Sequence, residues 1–267
     1  MFDWEIIPSL IMGSTLSLES YRPFQTLLFP APHPLRAWSG EEFEGGAPGV
    51  PPYVVRTEPL LEWAVPKTRE ARWVIHCHGN ASDVESMDAQ VRAYSSVTGA
   101  TYVSWEYPGY GPRPGPCTAA QMKVDIVRLY DYIRAKHHLR PEQITVMGHS
   151  LGSGPAVWLA SQRPLIGGLI LLSPYTSIQG IIAEWLPWLA YACPTVFDNV
   201  GAIAQVTCPI LFIHGKKDNV IPWTHTERLA QAAKHALSKT ICYAADATHN
   251  DWHLEEEVFG PMRAFFH

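Results

Sequence analysis

Gln143-Ile144-Thr145-Val146-Met147-Gly148-His149-Ser150-Leu151-Gly152 is the stretch on which the fold turns. Its first five residues are an apolar, β-branched run of strand length. Gly148 breaks the run, and an apolar helical pattern follows Gly152. A serine at such a strand-to-helix corner must adopt a strained backbone that lifts its hydroxyl above the sheet. Residues two before and two after it must then be small enough not to strike the strand and the helix, and Gly148 and Gly152 meet that need. The five-residue pattern G-x-S-x-G is weak alone; its place between a strand and a helix makes Ser150 a candidate nucleophile. The competing reading is a glycine-rich turn that happens to hold a serine.

The same alternation extends in both directions. Upstream, Trp73–Cys77 and Thr101–Trp105 are strand-length apolar runs. A helix between them opens on the capping-box pattern Ser82-x-x-Glu85 and carries Val84, Met87, Val91 and Tyr94 at helical spacing. Pro108-Gly109-Tyr110-Gly111-Pro112 breaks the chain, and a second capping box, Thr118-x-x-Gln121, opens a helix with Ala120, Val124, Val127, Tyr130 and Ile133 on one face. Downstream come strands at Leu169–Leu172, Pro209–Ile213 and Thr240–Tyr243, a helix from about Pro222, and a last helix with Leu254, Val258 and Phe259. Tyr53–Thr57 and Leu60–Val65 read as paired antiparallel strands. Strands alternating with helices imply parallel pairing through crossovers, hence an α/β architecture with a mostly parallel central sheet flanked by helices. Residues 1–50 are expected to form an arm packed on the domain, and residues 51–267 the domain itself. The aromatic stretch 178–199 interrupts the alternation and suits a small cap, if there is one.

A serine hydroxyl needs a base to take its proton, and the base needs an acid to orient it. With this elbow the acid and then the histidine follow the nucleophile in the chain. Asp218, in Ile213-His214-Gly215-Lys216-Lys217-Asp218, lies just past a late strand, and His249, in Ala247-Thr248-His249-Asn250-Asp251, lies past the last one. Asp198 is an alternative acid; Asp246 and Asp251 are too near His249 in sequence to be favoured; His253 is the competing histidine. His78-Gly79-Asn80-Ala81, after the Trp73 strand, supplies one oxyanion donor, the backbone N–H of Asn80, and the residue after the nucleophile supplies the other, the N–H of Leu151. His76 and His78 recur on one strand face, but no third ligand has metal-site spacing, so neither a metal nor any cofactor is expected. Trp185, Trp188 and Leu189 are candidates for an acyl-binding groove; ordinary core is the equal alternative.

Composition narrows the classes. The 267 residues are 47% hydrophobic and 17% charged, which suits a filled core rather than disorder. With a net charge of −5 and no basic run, the sequence has no footprint for nucleic acid. The five cysteines, Cys77, Cys117, Cys193, Cys208 and Cys242, are scattered and odd in number, so they predict neither a disulfide framework nor a zinc ribbon and suit a reducing compartment. No secretory pattern opens the sequence, and the apolar tract Ile181–Tyr191 is too short to span a bilayer. Met12-Gly13-Ser14-Thr15-Leu16-Ser17 fits a myristoylation pattern that would matter only if translation began at Met12; chance is the plainer reading.

His78-Gly79-Asn80-Ala81, Tyr107-Pro108-Gly109-Tyr110-Gly111, Gly148–Gly152, Ser173-Pro174-Tyr175, His214-Gly215-x-x-Asp218 and His249-Asn250-Asp251 occur in that order. Over residues 50 to 265 the set resembles the α/β-hydrolase domain-containing protein 17 family and, less closely, its Bem46-like relative, domain-containing protein 13. The resemblance implies an α/β-hydrolase fold and a serine hydrolase that removes palmitoyl groups from cysteines of membrane-attached proteins. It also implies Ser150 as nucleophile, Asp218 as acid and His249 as base. Two features depart from the family. Its palmitoylated N-terminal cysteine cluster has no counterpart before Cys77, and Thr248 stands where glycine usually precedes the histidine. The expectation is a cytoplasmic enzyme, open to peripheral membrane association, acting on an acylated protein or a small acyl ester. A general carboxylesterase or lipase and a catalytically silent binding protein on the same fold are the rivals.

Overall fold

The computed structural model describes residues 54–57, 72–190 and 195–266. In chain order the elements are β1 (Val54–Thr57), β2 (Trp73–Cys77), α1 (Asp88–Thr98), β3 (Thr101–Trp105), α2 (Ala119–His137), β4 (Ile144–His149), α3 (Ser153–Gln162) and β5 (Gly168–Leu172). Then follow α4 (Ile178–Trp185), α5 (Pro187–Ala190), α6 (Asn199–Ile203), β6 (Ile210–Gly215), α7 (Thr224–Ala232), β7 (Lys239–Ala244) and α8 (Gly260–Phe266). A wide helical turn over Leu254–Phe259 leads into α8.

The strands form one sheet in the order β1-β3-β2-β4-β5-β6-β7. β1 runs antiparallel to β3 and every other pairing is parallel. This is the α/β architecture that the alternation anticipated, and the α/β-hydrolase fold that the resemblance implied. The partner expected for the first strand, Leu60–Val65, lies outside the described residues, as do the arm at 1–50 and the motif at Met12.

Burial on both faces explains the continuous apolar runs. Every residue of β2, β3 and β5 is buried. Alternate side chains of β2, β3, β4, β5 and β6 enter opposite layers. Ile75, Val103, Val146, Leu169, Leu171 and Phe212 pack on one side with α2 and α3, while Val74, Tyr102, Met147, Ile170, Leu211 and Ile213 pack on the other with α1 and α8. Each fully buried aliphatic side chain contributes about 1.5–3 kcal/mol.

Two helical expectations need correction. α1 begins at Asp88 rather than at Ser82, and Met87, its N-cap, makes no capping bond with its side chain. The reciprocal pair sits one residue along: Asp83 Oδ1 accepts from the Ser86 N–H at 2.7 Å, and Ser86 Oγ accepts from the Asp83 N–H at 3.0 Å. α2 does start at the expected cap, with Thr118 Oγ1 accepting from the Gln121 N–H at 3.1 Å. Its buried stripe, however, runs through Ala119, Met122, Ile126, Leu129, Tyr130 and Ile133, while Ala120 and Val124 face solvent. Apolar residues occur on both sides of this helix, so spacing alone allows two stripes. Asp125 selects one, because it is buried in an ion pair with Arg113 at 2.6 Å.

Candidate active site

Strand order reverses between β2 and β4: β3 lies on one side of β2, and β4 with all later strands on the other. Loops leaving the carboxyl ends of strands at such a point diverge and leave a crevice. The loop after β2 carries His78-Gly79-Asn80, and the turn after β4 carries Ser150.

Ser150 has φ +50°, a left-handed conformation unusual for a residue with a side chain. A single tight turn, Ser150–Gly152, joins the strand to α3. The flanking glycines are held by close approach. A Cβ on Gly148 would stand 2.4 Å from the Gly152 carbonyl oxygen, and one on Gly152 would stand 2.1 Å from that of Cys77. The second contact, with the His78 carbonyl oxygen 2.7 Å from the same point, also seats the end of β2 and the start of its loop against the turn.

Asp218 and His249 follow β6 and β7, on the far side of β5 from β4. Gly215, at the end of β6, abuts the Ala247 carbonyl so closely that a Cβ would lie 2.3 Å away, and the Lys217 N–H donates to that same carbonyl at 3.0 Å. The two loops are thereby fastened together. His249 Nδ1 lies 2.7 Å from Asp218 Oδ2, and His249 Nε2 lies 2.9 Å from Ser150 Oγ. All three residues are buried but retain a little exposure, 7–8%. A carboxylate only accepts, so Nδ1 carries the ring proton and Nε2 is left to accept from the serine hydroxyl. Thr248, the residue that departs from the family, closes the loop: its Oγ1 accepts from the Asp251 N–H at 3.2 Å.

Burial pushes the Asp218 carboxyl up, but hydrogen bonds from His214, His249 and the Ile221 N–H outweigh it and hold the group well below the carboxylate range. Asp218 is therefore ionised. The rival acids are engaged elsewhere. Asp198 caps α6 by accepting from the Gly201 N–H at 2.9 Å, Asp246 pairs with Lys217 at 2.6 Å, and Asp251 is exposed. His253 is also exposed, at the start of the final turn.

The β2 loop is braced by residues that sequence reasoning passes over. Glu106, fully buried, accepts from His78 Nε2 at 2.9 Å through one oxygen and from the Val84 N–H at 3.0 Å through the other. The Tyr107 hydroxyl donates to the His78 carbonyl at 2.7 Å, and the Tyr110 hydroxyl to Asn80 Oδ1. The available signal is Glu106 directly before the Tyr107–Gly111 motif. His76 in β2 bonds Ser104 instead, at 3.1 Å, while His78 lies just past the strand's end, so the two histidines serve different neighbours. His149 stacks on His249 with ring centroids 5.6 Å apart; burial first, then His249, lowers it to about 4, so it stays neutral at pH 7.

Trp185 and Trp188 are 62% and 61% exposed, which removes the reading of them as core. They sit on α4 and α5, beyond β5 and in the stretch anticipated as a cap. The Leu189 side chain and residues 191–194 lie outside the described set. Among the described residues no helix is long and apolar enough to cross a membrane.

A family model described as "alpha/beta hydrolase fold" matches residues 72–192. An uncharacterized protein of Mycobacterium tuberculosis is 33% identical over 180 residues, which is 67% of this chain and 63% of that protein's length. Human α/β hydrolase domain-containing protein 17B is 29% identical over 72% of this chain and 65% of its own. The chain thus resembles the family picked out by its motifs, and spans a little under two thirds of these relatives. Among solved structures, the Pyrococcus furiosus esterase Pf2001 superposes with a TM-score of 0.64 at 16% identity, covering 88% of this chain and 97% of that one. A Paleococcus ferrophilus monoacylglycerol lipase gives 0.59 at 18%, covering 80% and 97%. At these identities the likeness is one of fold.

Proposed function

We propose that this α/β-hydrolase-fold chain is a serine hydrolase that cleaves acyl esters and thioesters, and that its substrates are palmitoylated proteins. One observation carries the reading: the Ser150 hydroxyl, on a strained turn, lies 2.9 Å from an imidazole that is itself 2.7 Å from an ionised carboxylate. The resemblance to the protein 17 family supports the palmitoyl substrate. Two exposed tryptophans beyond β5 supply apolar surface on which an acyl chain can lie.

In the proposed reaction Ser150 Oγ attacks the acyl carbonyl as His249 Nε2 takes its proton. Asp218 fixes the His249 tautomer and stabilises the imidazolium. The carbonyl oxygen becomes an oxyanion held by the N–H groups of Asn80 and Leu151; one such donor is worth about 3–4 kcal/mol in a known protease. The intermediate collapses, and the thiolate or alkoxide leaves with the proton from His249. Water then attacks the acyl-enzyme, giving its proton to His249, and the free acid departs as Ser150 is regenerated.

The test is labelling with a fluorophosphonate probe, together with hydrolysis of 4-nitrophenyl esters from butyrate to palmitate and of a palmitoyl-thioester peptide. Labelling and turnover are expected in the parent and neither in Ser150→Ala. Persistent labelling of that variant overturns the assignment. Preference for butyrate over both palmitoyl substrates replaces the depalmitoylase reading with a general esterase, and a parent that takes no label leaves a binding protein on this fold.

A further inference from the structure

His214, the last but one residue of β6, lies against the acid of the site, on the same carboxylate oxygen as the base. Its Nε2 is 2.8 Å from the Ile221 carbonyl oxygen and 3.3 Å from Asp218 Oδ2. Both partners only accept, so Nε2 carries the ring proton and shares it between them. The other ring nitrogen, Nδ1, is then a bare lone pair, and it lies 2.7 Å from Thr226 Oγ1 in the first turn of α7. The threonine hydroxyl donates to it. Both His214 and Thr226 are fully buried. Turning the ring over would set one C–H against the two acceptors and another against the Thr226 hydroxyl, losing every hydrogen bond of the ring, so the orientation is fixed by chemistry on both edges.

The consequence falls on Asp218. Oδ1 accepts from the Val220 and Ile221 N–H groups at 2.9 and 2.8 Å. Oδ2 is shared between His214 and His249. With one oxygen fastened to the backbone, what remains free is the tilt of Oδ2, and His214 is the group that restrains it. We infer that His214, set by Thr226, is a positioning residue that aims the Asp218 carboxylate at His249. The inference rests on the hydrolase reading above and deepens it, because a carboxylate so held keeps the base aligned throughout turnover. The neighbouring His225 is occupied elsewhere, since its ring bonds Thr176 at 3.0 Å and faces Glu184.

The experiment uses the full chain with 4-nitrophenyl butyrate as probe substrate, and four variants. Thr226→Val keeps the shape and removes the hydroxyl; Thr226→Ser restores it. His214→Phe removes the ring donor; His214→Gln returns an N–H near the same place. His214→Phe is expected to lower kcat roughly 10- to 100-fold, as misplacement of a catalytic group does, with KM within about twofold. Thr226→Val should lower kcat in the same direction, and the Gln and Ser variants should recover most of the loss. Against loss of folding in the Phe variant, the low-field proton resonance of the His249–Asp218 hydrogen bond is followed in the resting protein. It should shift or broaden in Thr226→Val and return in Thr226→Ser. Parent-like kcat and an unmoved resonance in the Val variant overturn the inference, and so does failure of Gln and Ser to rescue. If the parent neither labels nor turns over, the hydrolase reading fails while the resonance still decides the positioning role.

Discussion

Gly152 and Gly99 separate two reasons for having glycine at a position. Gly152 has φ −62°, a value any residue accepts, yet a Cβ there would lie 2.1 Å from the Cys77 carbonyl oxygen. Gly99 has φ +67° and open space around its missing Cβ. Gly99→Ala therefore meets only the left-handed backbone penalty, about 1–2 kcal/mol. Gly152→Ala must push α3 away from β2, and it falls among the core overpacking changes that exceed about 4 kcal/mol. Denaturant unfolding of the two variants should show that separation, and any Gly152→Ala protein that does fold should take no fluorophosphonate label. Equal losses would mean that the turn relaxes freely. At this scale the sequence is most legible. The demand for small residues on either side of Ser150 follows from the sharpness of a strand-to-helix corner, and the atoms that enforce it are backbone carbonyls, that of Gly152 for Gly148 and that of Cys77 in the neighbouring strand for Gly152, present whatever the side chains there.

Elements are legible where burial is two-sided and much less so where a polar contact decides. β2, β4, β5 and β6 lie within a residue or two of their apolar runs because those runs fill both layers of the core. α1 and α2 depart further from their patterns. Asp83 and Ser86 form a reciprocal pair one residue beyond the expected cap, in the turn that precedes α1, and the Arg113–Asp125 pair turns α2 so that Val124 faces water. Neither contact leaves a periodic trace, since each joins single residues. The ion pair gives a prediction for this element. Arg113 donates to Asp125 Oδ2 at 2.6 Å and to the Glu106 carbonyl at 2.7 Å, with both charged side chains almost fully covered. Arg113→Met strands a buried carboxylate and should cost about 3–5 kcal/mol. Removing the carboxylate as well, in Arg113→Met/Asp125→Leu, should return a substantial part of that loss, as measured by denaturant midpoints. A double variant that loses the sum of the two single costs would show that the pair does not act as a unit.

Across the whole molecule, the chain order Ser150, Asp218, His249 becomes a spatial cluster because successive strands β4 to β7 lie side by side, so loops far apart in sequence leave the same edge of the sheet. That much follows from alternation and motif order. What the sequence hides is how many histidines the fold keeps uncharged inside. Burial, reinforced by His78, lowers His76 to about 3. Burial together with His249 lowers His149 to about 4, and burial together with Arg228 lowers His225 to about 4. An unfolded histidine titrates near 6.5. Between these values the unfolded chain binds more protons than the folded one, so stability is complete above about pH 6.5 and falls as pH drops toward 4. Each such histidine steepens the fall by up to about 1.4 kcal/mol per pH unit. Asp218, held low, adds its own loss only below about pH 4, where its unfolded form takes up a proton. Over the pH range from about 6.5 to 5 three histidines together remove up to about 6 kcal/mol, which is comparable with the lower end of a typical stability of about 5–15 kcal/mol. Stability measured by denaturant unfolding with tryptophan fluorescence is therefore expected to begin falling near about pH 6.5 and to fall steeply by about pH 5, above the carboxylate range. His76→Asn, which keeps an amide opposite Ser104 and cannot ionise, should flatten the curve between pH 7 and 5. A parent protein whose stability is level down to pH 4.5 and collapses only in the carboxylate range would show that these rings are reached by water before the fold opens.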